Sequence, residues 1–300
     1  MCFRAVVHIL RDEFKLKNFV FNDVNEQRFY TPQWRTRPFL YLVYRCIGAA
    51  YTMSSLLYVF ATSETLKYEW GVYFPNWSYV LLSVYFLVHY IFTLLNYFHS
   101  VESIFIEVAL ENHIKYFKDP STYLREQQCE DDASSDLAQD PSKVIQLPFF
   151  IKVLWMLYAT VLPAALTVTI MFWWTFDYES PITFNIVAFH ILNSVIILTE
   201  HAVTAVPFRL LHFIYPSIYG LIYFIFSAIF WSSDHTRVIY HILNWNNPGV
   251  TCVYILLIGL VGVVMLYFIL FCIYRLKLFI FYKTMPINSE TEFVPLVDTS

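Results

Sequence analysis

Six apolar segments, each long enough to cross a lipid bilayer as a helix, recur along this chain of 300 residues. Inside hydrocarbon, backbone groups find partners only in a helix or a closed barrel, and runs of this length predict helices. Only 14% of the residues are charged, whereas roughly a quarter are charged in soluble domains. The sequence therefore predicts an all-α, polytopic membrane bundle with about six transmembrane helices, at 38–61, 77–98, 147–173, 182–206, 209–231 and 250–274.

Lysine and arginine are unevenly distributed among the connections. The segment before the first span carries seven, the loop 99–146 carries four, and the tail after the last span carries three. The opposite side has only Lys67 and Arg237. Positive residues accumulate on the cytoplasmic side, so both termini are expected there. We divide the chain into a cytoplasmic segment 1–37, a transmembrane domain 38–275 that includes the cytoplasmic loop 99–146, and a cytoplasmic tail 276–300.

Three features outside the spans allow more than one interpretation. Residues 3–17 have apolar side chains at helical spacing, which is typical of a helix lying in the membrane interface or of a plain exposed helix. The acidic run 126–136 predicts disorder, with Ser134 or Ser135 as phosphorylation candidates. Cys2 is either palmitoylated or an unmodified residue.

Two spans have their polar residues on one helical face. At 100° per residue, the polar residues of 182–206 lie within an arc of about 120° and those of the second span within about 80°. Such groups cost several kcal/mol each in hydrocarbon without a partner, so we expect both rows to face one shared interior. We select Asn193, His89, Asn96 and Tyr85 as binding residues. The rows are Thr183, His190, Asn193, Ser194, Glu200, His201 and Thr204, and Ser78, Tyr85, His89, Thr93 and Asn96.

Arg45 and Glu200 lie at similar depths in the predicted bundle. Arg45 is seven residues from the cytoplasmic end of its helix and Glu200 is six from Val206, so at about 1.5 Å per residue the two are nearly level. The sequence predicts an Arg45–Glu200 ion pair. Interhelical ion pairs often serve only to hold helices together, and this structural role is the first interpretation.

His190 lies about two turns from the other membrane surface and is a candidate catalytic or ligand-binding residue, with a structural role as the alternative. His89, His190, His201 and His212 have no spacing that defines a metal site, and no metal or cofactor is predicted. Phosphate-binding loops, zinc-protease motifs and serine-hydrolase elbows are absent from the sequence. The net charge of −4 does not indicate nucleic-acid binding. The expected partners are membrane lipids and other membrane proteins.

The segment 33–275 resembles the rolling stone family of integral membrane proteins, which is related to the androgen-induced (FAR-17a) hydrolases. Four groups of residues carry the likeness: Gln33-Trp34 with Pro38 and Tyr44-Arg45; Tyr73-Phe74-Pro75-Asn76-Trp77; His190-x-x-Asn193-Ser194-Val195 with Glu200, Pro207, Arg209, His212, Tyr215 and Pro216; and Ile239-Tyr240 with Leu243-x-Trp245 and Pro248-Gly249.

The resemblance implies two different functions. Rolling stone proteins are associated with muscle development and myoblast fusion. The hydrolases cleave fatty acid esters of hydroxy fatty acids with a threonine nucleophile and a histidine; the histidine matches His190, but Pro75 occupies the threonine position. A nucleophilic hydroxyl needs a base within hydrogen-bonding reach, and Ser78, one turn further on, is the candidate replacement.

We therefore expect a non-enzymatic lipid- or protein-binding component of the plasma membrane or endoplasmic reticulum, acting in cell–cell or membrane processes. The alternative is a lipid ester hydrolase with His190 as base and Ser78 as nucleophile. A small-molecule transporter is a third hypothesis, but the sequence shows no inverted repeat of the kind that many transporters contain.

Overall fold

In the computed structural model, six long helices form the architecture, and the prediction of an all-α membrane bundle is confirmed. The structure describes residues 11–62, 67–117, 146–175 and 181–284. Within these ranges there is no strand beyond an isolated bridge between Pro32 and Thr204. The helices are α1 (Pro38–Thr62), α2 (Phe74–Phe117), α3 (Phe149–Thr175), α4 (Phe184–Val203), α5 (Leu210–Ser233) and α6 (Pro248–Thr284).

Five of these helices, α2 to α6, are long and apolar enough to cross a membrane. Helix α1 has 25 residues, a length of about 37 Å at 1.5 Å per residue, which also suffices to span. It is less apolar because its buried face carries Arg45, Thr52 and Ser55. Helix α1 packs beside α2. Its polar face is therefore turned to protein rather than to lipid.

Two helices extend past the boundaries that the sequence predicts. Helix α2 continues to Phe117, so the predicted loop 99–146 begins inside a helix. Helix α6 ends at Thr284, nine residues beyond the predicted domain boundary at 275. The residues after each boundary continue an apolar pattern, with Ile104 and Phe105 in α2 and Phe279 and Ile280 in α6. The helices therefore continue where their hydrophobic residues do.

Helix α3 occupies the centre of the bundle. Two thirds of its most apolar stretch is buried, against 17% for α5 and for α6. The fully buried Trp155 and Tyr158 lie on α3. Helices α5 and α6 leave long apolar rows exposed, as expected for lipid-facing helices. We call the end of the bundle where α1 begins the basic end, because Arg37, Lys152, Arg209 and Arg275 lie there, and the other end the opposite end.

The segment before α1 packs into the basic end rather than staying apart from it. It contains two short 3-10 helices, Leu16–Phe19 and Glu26–Phe29, and Arg28 and Phe29 are buried. Glu13 is buried and accepts a hydrogen bond from the backbone of Leu210 at 3.3 Å. Most of the predicted interfacial helix 3–17, together with Cys2 and the acidic run 126–136 with Ser134 and Ser135, lies outside the described residues.

Helices α4 and α6 each contain a π-helical turn. In α4 it is Ala188–Leu192, which includes His190, and in α6 it is Leu256–Gly262. A π turn inserts an extra residue into the helical repeat and rotates the two flanking stretches relative to each other. Such turns frequently occur at functional sites.

Candidate functional site

The chain between α4 and α5 is an extended segment, residues 204–209, that is buried at the basic end. Buried backbone carbonyls need partners, and here side chains supply them. The Lys277 ammonium donates to the carbonyls of both His201 and Thr204 at 2.8 Å. Other carbonyls of the same stretch accept from Trp34 on Ala202, Arg28 on Ala205 and Trp155 on Pro207. Lys277 and Arg28 are therefore structural residues and not loop charges.

Glu200 is the centre of a buried polar network. One carboxylate oxygen lies 2.5 Å from the Arg45 guanidinium and accepts from the Tyr44 hydroxyl at 3.0 Å. The other accepts from the Tyr85 hydroxyl at 2.6 Å. Arg45 also donates to the hydroxyls of Tyr41 and Thr204. The structure thus brings together Arg45 of α1, Tyr85 of α2 and Glu200 of α4 at one depth.

Two histidines extend this network at its edges. His89 contacts the Tyr85 hydroxyl through Nδ1 at 3.0 Å, and its Nε2 donates to the carbonyl of Phe29 at 2.7 Å. The Nε2 of His201 donates to the carbonyl of Leu270, so its Nδ1 accepts from the Tyr158 hydroxyl at 2.6 Å. Both rings are therefore held by partners from two different elements. Such bonding favours a structural role.

The polar rows of α2 and α4 meet at Tyr85 and Glu200 but diverge elsewhere. Directly after the π turn of α4, the Asn193 side chain donates to the carbonyl of Ala165 at 3.3 Å, and the Ser194 hydroxyl donates to Thr169 at 2.7 Å. Ala165 and Thr169 both lie on α3. Asn193 and Ser194 lie on the same regular helical stretch as Glu200, and α3 packs beside this stretch, so its polar side chains are shared between α2 and α3. The expectation that both rows face one shared interior therefore holds at Tyr85 and Glu200, but not at Asn193 and Ser194, whose contacts are on α3.

The remaining members of the two rows lie apart from the network. Thr183 caps the start of α4 by accepting from the backbone of Ile186. Asn96 is half-buried on α2, and the Ser100 hydroxyl donates to its carbonyl. Neither side chain lines the cavity described next.

An apolar cavity of about 440 Å³ lies toward the opposite end, a size typical of small-molecule sites. Helices α3, α5 and α6, the π turn of α4 and the segment 238–243 surround it. The residues that face it include Phe74, Pro75, Pro163, Thr167, Met171, Phe172, His190, Tyr219, Gly220, Phe224, Tyr240 and Gly259. Both π turns contribute to this wall.

His190 is the polar side chain that enters this apolar wall from α4. The residue is 8% exposed, and its ring lies parallel to the Phe172 ring, with 3.6 Å between the ring centroids. Neither ring nitrogen has a hydrogen-bond partner among the described residues. The carbonyl of His190 accepts from the Trp173 indole at 3.2 Å. Nδ1 is fully buried, so Nε2 is the ring nitrogen that a bound molecule can reach, and in a neutral imidazole Nε2 is either a donor or an acceptor according to the tautomer.

Tyrosine hydroxyls near the cavity already have partners in the protein. The Tyr223 hydroxyl donates to the carbonyl of Val72 at 2.9 Å, and the Tyr219 hydroxyl contacts Ser78 at 3.4 Å. Tyr240 lies between α5 and α6, and burial raises the pKa of its phenol. Tyr240 therefore keeps its proton at neutral pH.

The structure does not pair Ser78 with His190. Ser78 is buried, its hydroxyl contacts Tyr219, and it is not among the residues that line the cavity. Pro75, at the position of the hydrolase threonine in the resemblance, does line the cavity with His190. Within the described part of the chain, no three His, Cys, Asp or Glu side chains gather as metal ligands.

Sequence reasoning missed the wall that α5 and α6 provide. Apolar helices without a polar row gave no signal of an interior surface. Gly220 and Gly259 both line the cavity and both lie near the Phe224 ring. Small residues on otherwise bulky lipid-facing helices were the available signal.

Comparison with known proteins agrees with the membrane-bundle architecture. The family model described as protein rolling stone matches residues 130–296, more than half of the chain. The protein rolling stone of Drosophila melanogaster is 24% identical over 278 residues, which cover 88% of this chain and 88% of that protein. No solved structure matches the chain. With a family model extending from before α3 to beyond the end of α6, this integral membrane protein belongs to the rolling stone family.

Proposed function

We propose that this protein is a non-enzymatic, lipid-binding member of the rolling stone family that acts in cell–cell or membrane processes such as myoblast fusion. Its site is the cavity between α3, α5 and α6, with His190 as the polar contact. It resides in the plasma membrane or the endoplasmic reticulum with both termini in the cytoplasm. Other membrane proteins are the expected second class of partner.

One observation carries this proposal: an apolar cavity of about 440 Å³ contains a buried imidazole whose two nitrogens have no partner among the described residues. Ligand sites combine apolar walls with a few polar groups that orient the ligand. The Glu200 network has the opposite character, because protein groups already occupy its carboxylate. The cavity is therefore the better candidate for ligand binding.

The direct experiment is native mass spectrometry of the detergent-purified protein, looking for a co-purified lipid. Gly220→Leu adds a branched side chain at a position that lines the cavity. Its first carbon has room, since the nearest atom, on Phe224, would be 4.0 Å away, so the bulk goes into the cavity. We expect the wild type to carry lipid and Gly220→Leu to carry at least about tenfold less, which corresponds to about 1.4 kcal/mol.

Gly249→Leu is the matched control, because Gly249 is exposed and no atom lies within 4 Å of an added Cβ. This variant should retain the wild-type lipid. A wild-type protein without lipid, or equal occupancy in both leucine variants, would contradict lipid binding in the cavity. A cell-fusion assay with the same three proteins tests the cellular part of the proposal.

A lipid ester hydrolase is the second candidate, and it is favoured by one observation: His190 and Pro75 line the same cavity, as the resemblance to the androgen-induced hydrolases would require. A base of this kind needs a nucleophilic hydroxyl within hydrogen-bonding reach. The Ser78 hydroxyl is bonded instead to Tyr219 at 3.4 Å. The missing partner makes hydrolysis the weaker candidate.

Labelling of intact membranes with a serine-reactive fluorophosphonate separates the two functions. The binding function predicts no labelling that depends on His190 or Ser78. Labelling of the wild type that is lost in both Ser78→Ala and His190→Ala would establish the hydrolase and replace the non-enzymatic proposal. Tyr219→Phe releases the Ser78 hydroxyl and serves as the variant in which such labelling should increase.

A further inference from the structure

We propose that the cavity selects an uncharged lipid, one with a hydroxyl or ester group at His190 and an apolar chain, over a fatty-acid anion or a phospholipid. This inference rests on the proposed lipid-binding function and specifies its ligand class. It follows from the charges of the cavity wall, the position of the nearest described cation, and the state of the His190 ring.

The wall of the cavity carries no charged side chain among the described residues. Its lining is aliphatic and aromatic, with histidine, serine, threonine and tyrosine as the only polar types. Moving an anion from water into such surroundings without a cation costs several kcal/mol. Anion sites in proteins usually provide arginine or lysine for this reason. The described wall has no residue of that kind.

Arg237, the nearest described arginine along the chain, is already engaged outside the cavity. It precedes Val238, which lines the cavity, but its Nε lies 3.2 Å from the Asp234 carboxylate. Hydrogen bonds from Thr236 lower the pKa of Asp234, so this carboxylate keeps its charge and its pairing with Arg237 at neutral pH. Both side chains of the pair are about half exposed. Arg237 is therefore not positioned to neutralise a ligand inside the cavity.

His190 fits an uncharged hydrogen-bonding group. Its ring is stacked on Phe172, and no described acidic residue contacts it. Because Nδ1 is fully buried, the ligand meets Nε2, which in a neutral ring either donates to a hydroxyl or an ester carbonyl or accepts from a hydroxyl, according to the tautomer. A carboxylate would bind well only to a protonated ring, which has no described counter-ion. The stacked ring without a described counter-ion therefore favours an uncharged head group.

The test uses two photoactivatable, clickable probes that share one long chain and differ only in the head group, a fatty alcohol and the corresponding fatty acid. Each is crosslinked at neutral pH to the full-length protein in nanodiscs, and the labelled peptides are mapped by mass spectrometry. Only labelling that Gly220→Leu removes and Gly249→Leu retains is counted as cavity labelling. We expect the alcohol to label the cavity at least about tenfold more than the acid.

His190→Phe tests the polar contact, since phenylalanine preserves the stack on Phe172 but has no ring nitrogen. It should lower alcohol labelling severalfold, while His235→Phe, at an exposed histidine, should not. Equal labelling by both probes, or preference for the acid, would overturn the neutral-lipid inference and leave lipid binding intact. If neither probe gives labelling that Gly220→Leu removes, the proposed function fails and this inference fails with it.

Discussion

Helix α4 supplies a polar side chain to each half of the bundle interior, and the two halves treat these residues in opposite ways. Toward the basic end, Glu200 contacts Arg45, Tyr44 and Tyr85. Toward the opposite end, His190 lines an apolar cavity, and its ring nitrogens have no partner among the described residues. Both side chains are buried, so burial alone does not distinguish the two halves. The presence of protein partners does.

The comparison has an energetic basis. A buried ion that loses its partner leaves an uncompensated charge, so the residues around Glu200 depend on one another for stability. An imidazole without partners loses nothing of this kind when it is replaced by an apolar ring. Substitutions in the first half should therefore reduce stability, and substitutions in the second should change binding with little effect on stability.

The largest effect is expected at the ion pair. Glu200→Gln leaves the Arg45 guanidinium charged and buried, which should destabilise the protein by about 3–5 kcal/mol and sharply lower its yield. The midpoint of thermal unfolding in detergent measures this. The double variant Arg45→Met with Glu200→Gln should lose less than the sum of the single variants. An unchanged midpoint in Glu200→Gln would remove the distinction between the two halves.

The next effect concerns the extended segment after α4. Lys277→Met removes the donor to the carbonyls of His201 and Thr204, at an expected cost of about 3 kcal/mol. Lys283→Met changes an exposed lysine of the same helix and is the control. Thermal unfolding of both variants in the same detergent compares them directly. Equal midpoints for the two would argue that Lys277 does not support the segment.

A smaller loss is expected at Tyr85. Tyr85→Phe removes one hydrogen bond to the Glu200 carboxylate, which should cost about 1.5 kcal/mol. Tyr58→Phe alters a hydroxyl on a residue that is 53% exposed and should leave the unfolding midpoint unchanged. If Tyr85→Phe is as stable as Tyr58→Phe, the carboxylate does not depend on this contact.

The smallest change in stability is expected at His190. His190→Phe removes a buried polar group that lacks a partner, so the free energy of unfolding should stay within about 0.5 kcal/mol of wild type. Lipid occupancy measured on the same sample should fall. A loss of stability as large as that of Tyr85→Phe would place His190 with the structural residues and contradict the comparison directly.

The sequence predicted the architecture because apolar length alone determines which segments can cross a bilayer. It also predicted the contact of Arg45 with Glu200, because helical rise converts residue number into depth. The orientation of polar rows was less predictable. The π turn at Ala188–Leu192 rotates the stretches of α4 on its two sides relative to each other, and no residue in the turn indicates this rotation in the sequence.

Two further features could not be inferred from the sequence. Lys277 and Arg28 were counted among the charges that set orientation, yet they bond backbone carbonyls inside the bundle. The cavity was missed because its walls are mostly apolar, and helical-face reasoning detects only polar residues. Ser78 was considered as the partner of His190, but its contact with Tyr219 depends on α5, whose position the sequence does not specify.

The bonding of the stretch 204–209 has a consequence for how the chain matures. Its carbonyls are satisfied by a residue near the start of the protein, Arg28, and by one synthesised more than seventy positions later, Lys277. Until α6 has been synthesised and inserted, the carbonyls of His201 and Thr204 lack the Lys277 donor. Chains that stop before α6 should consequently stay incomplete intermediates and be removed by quality control, even though five spans are already inserted.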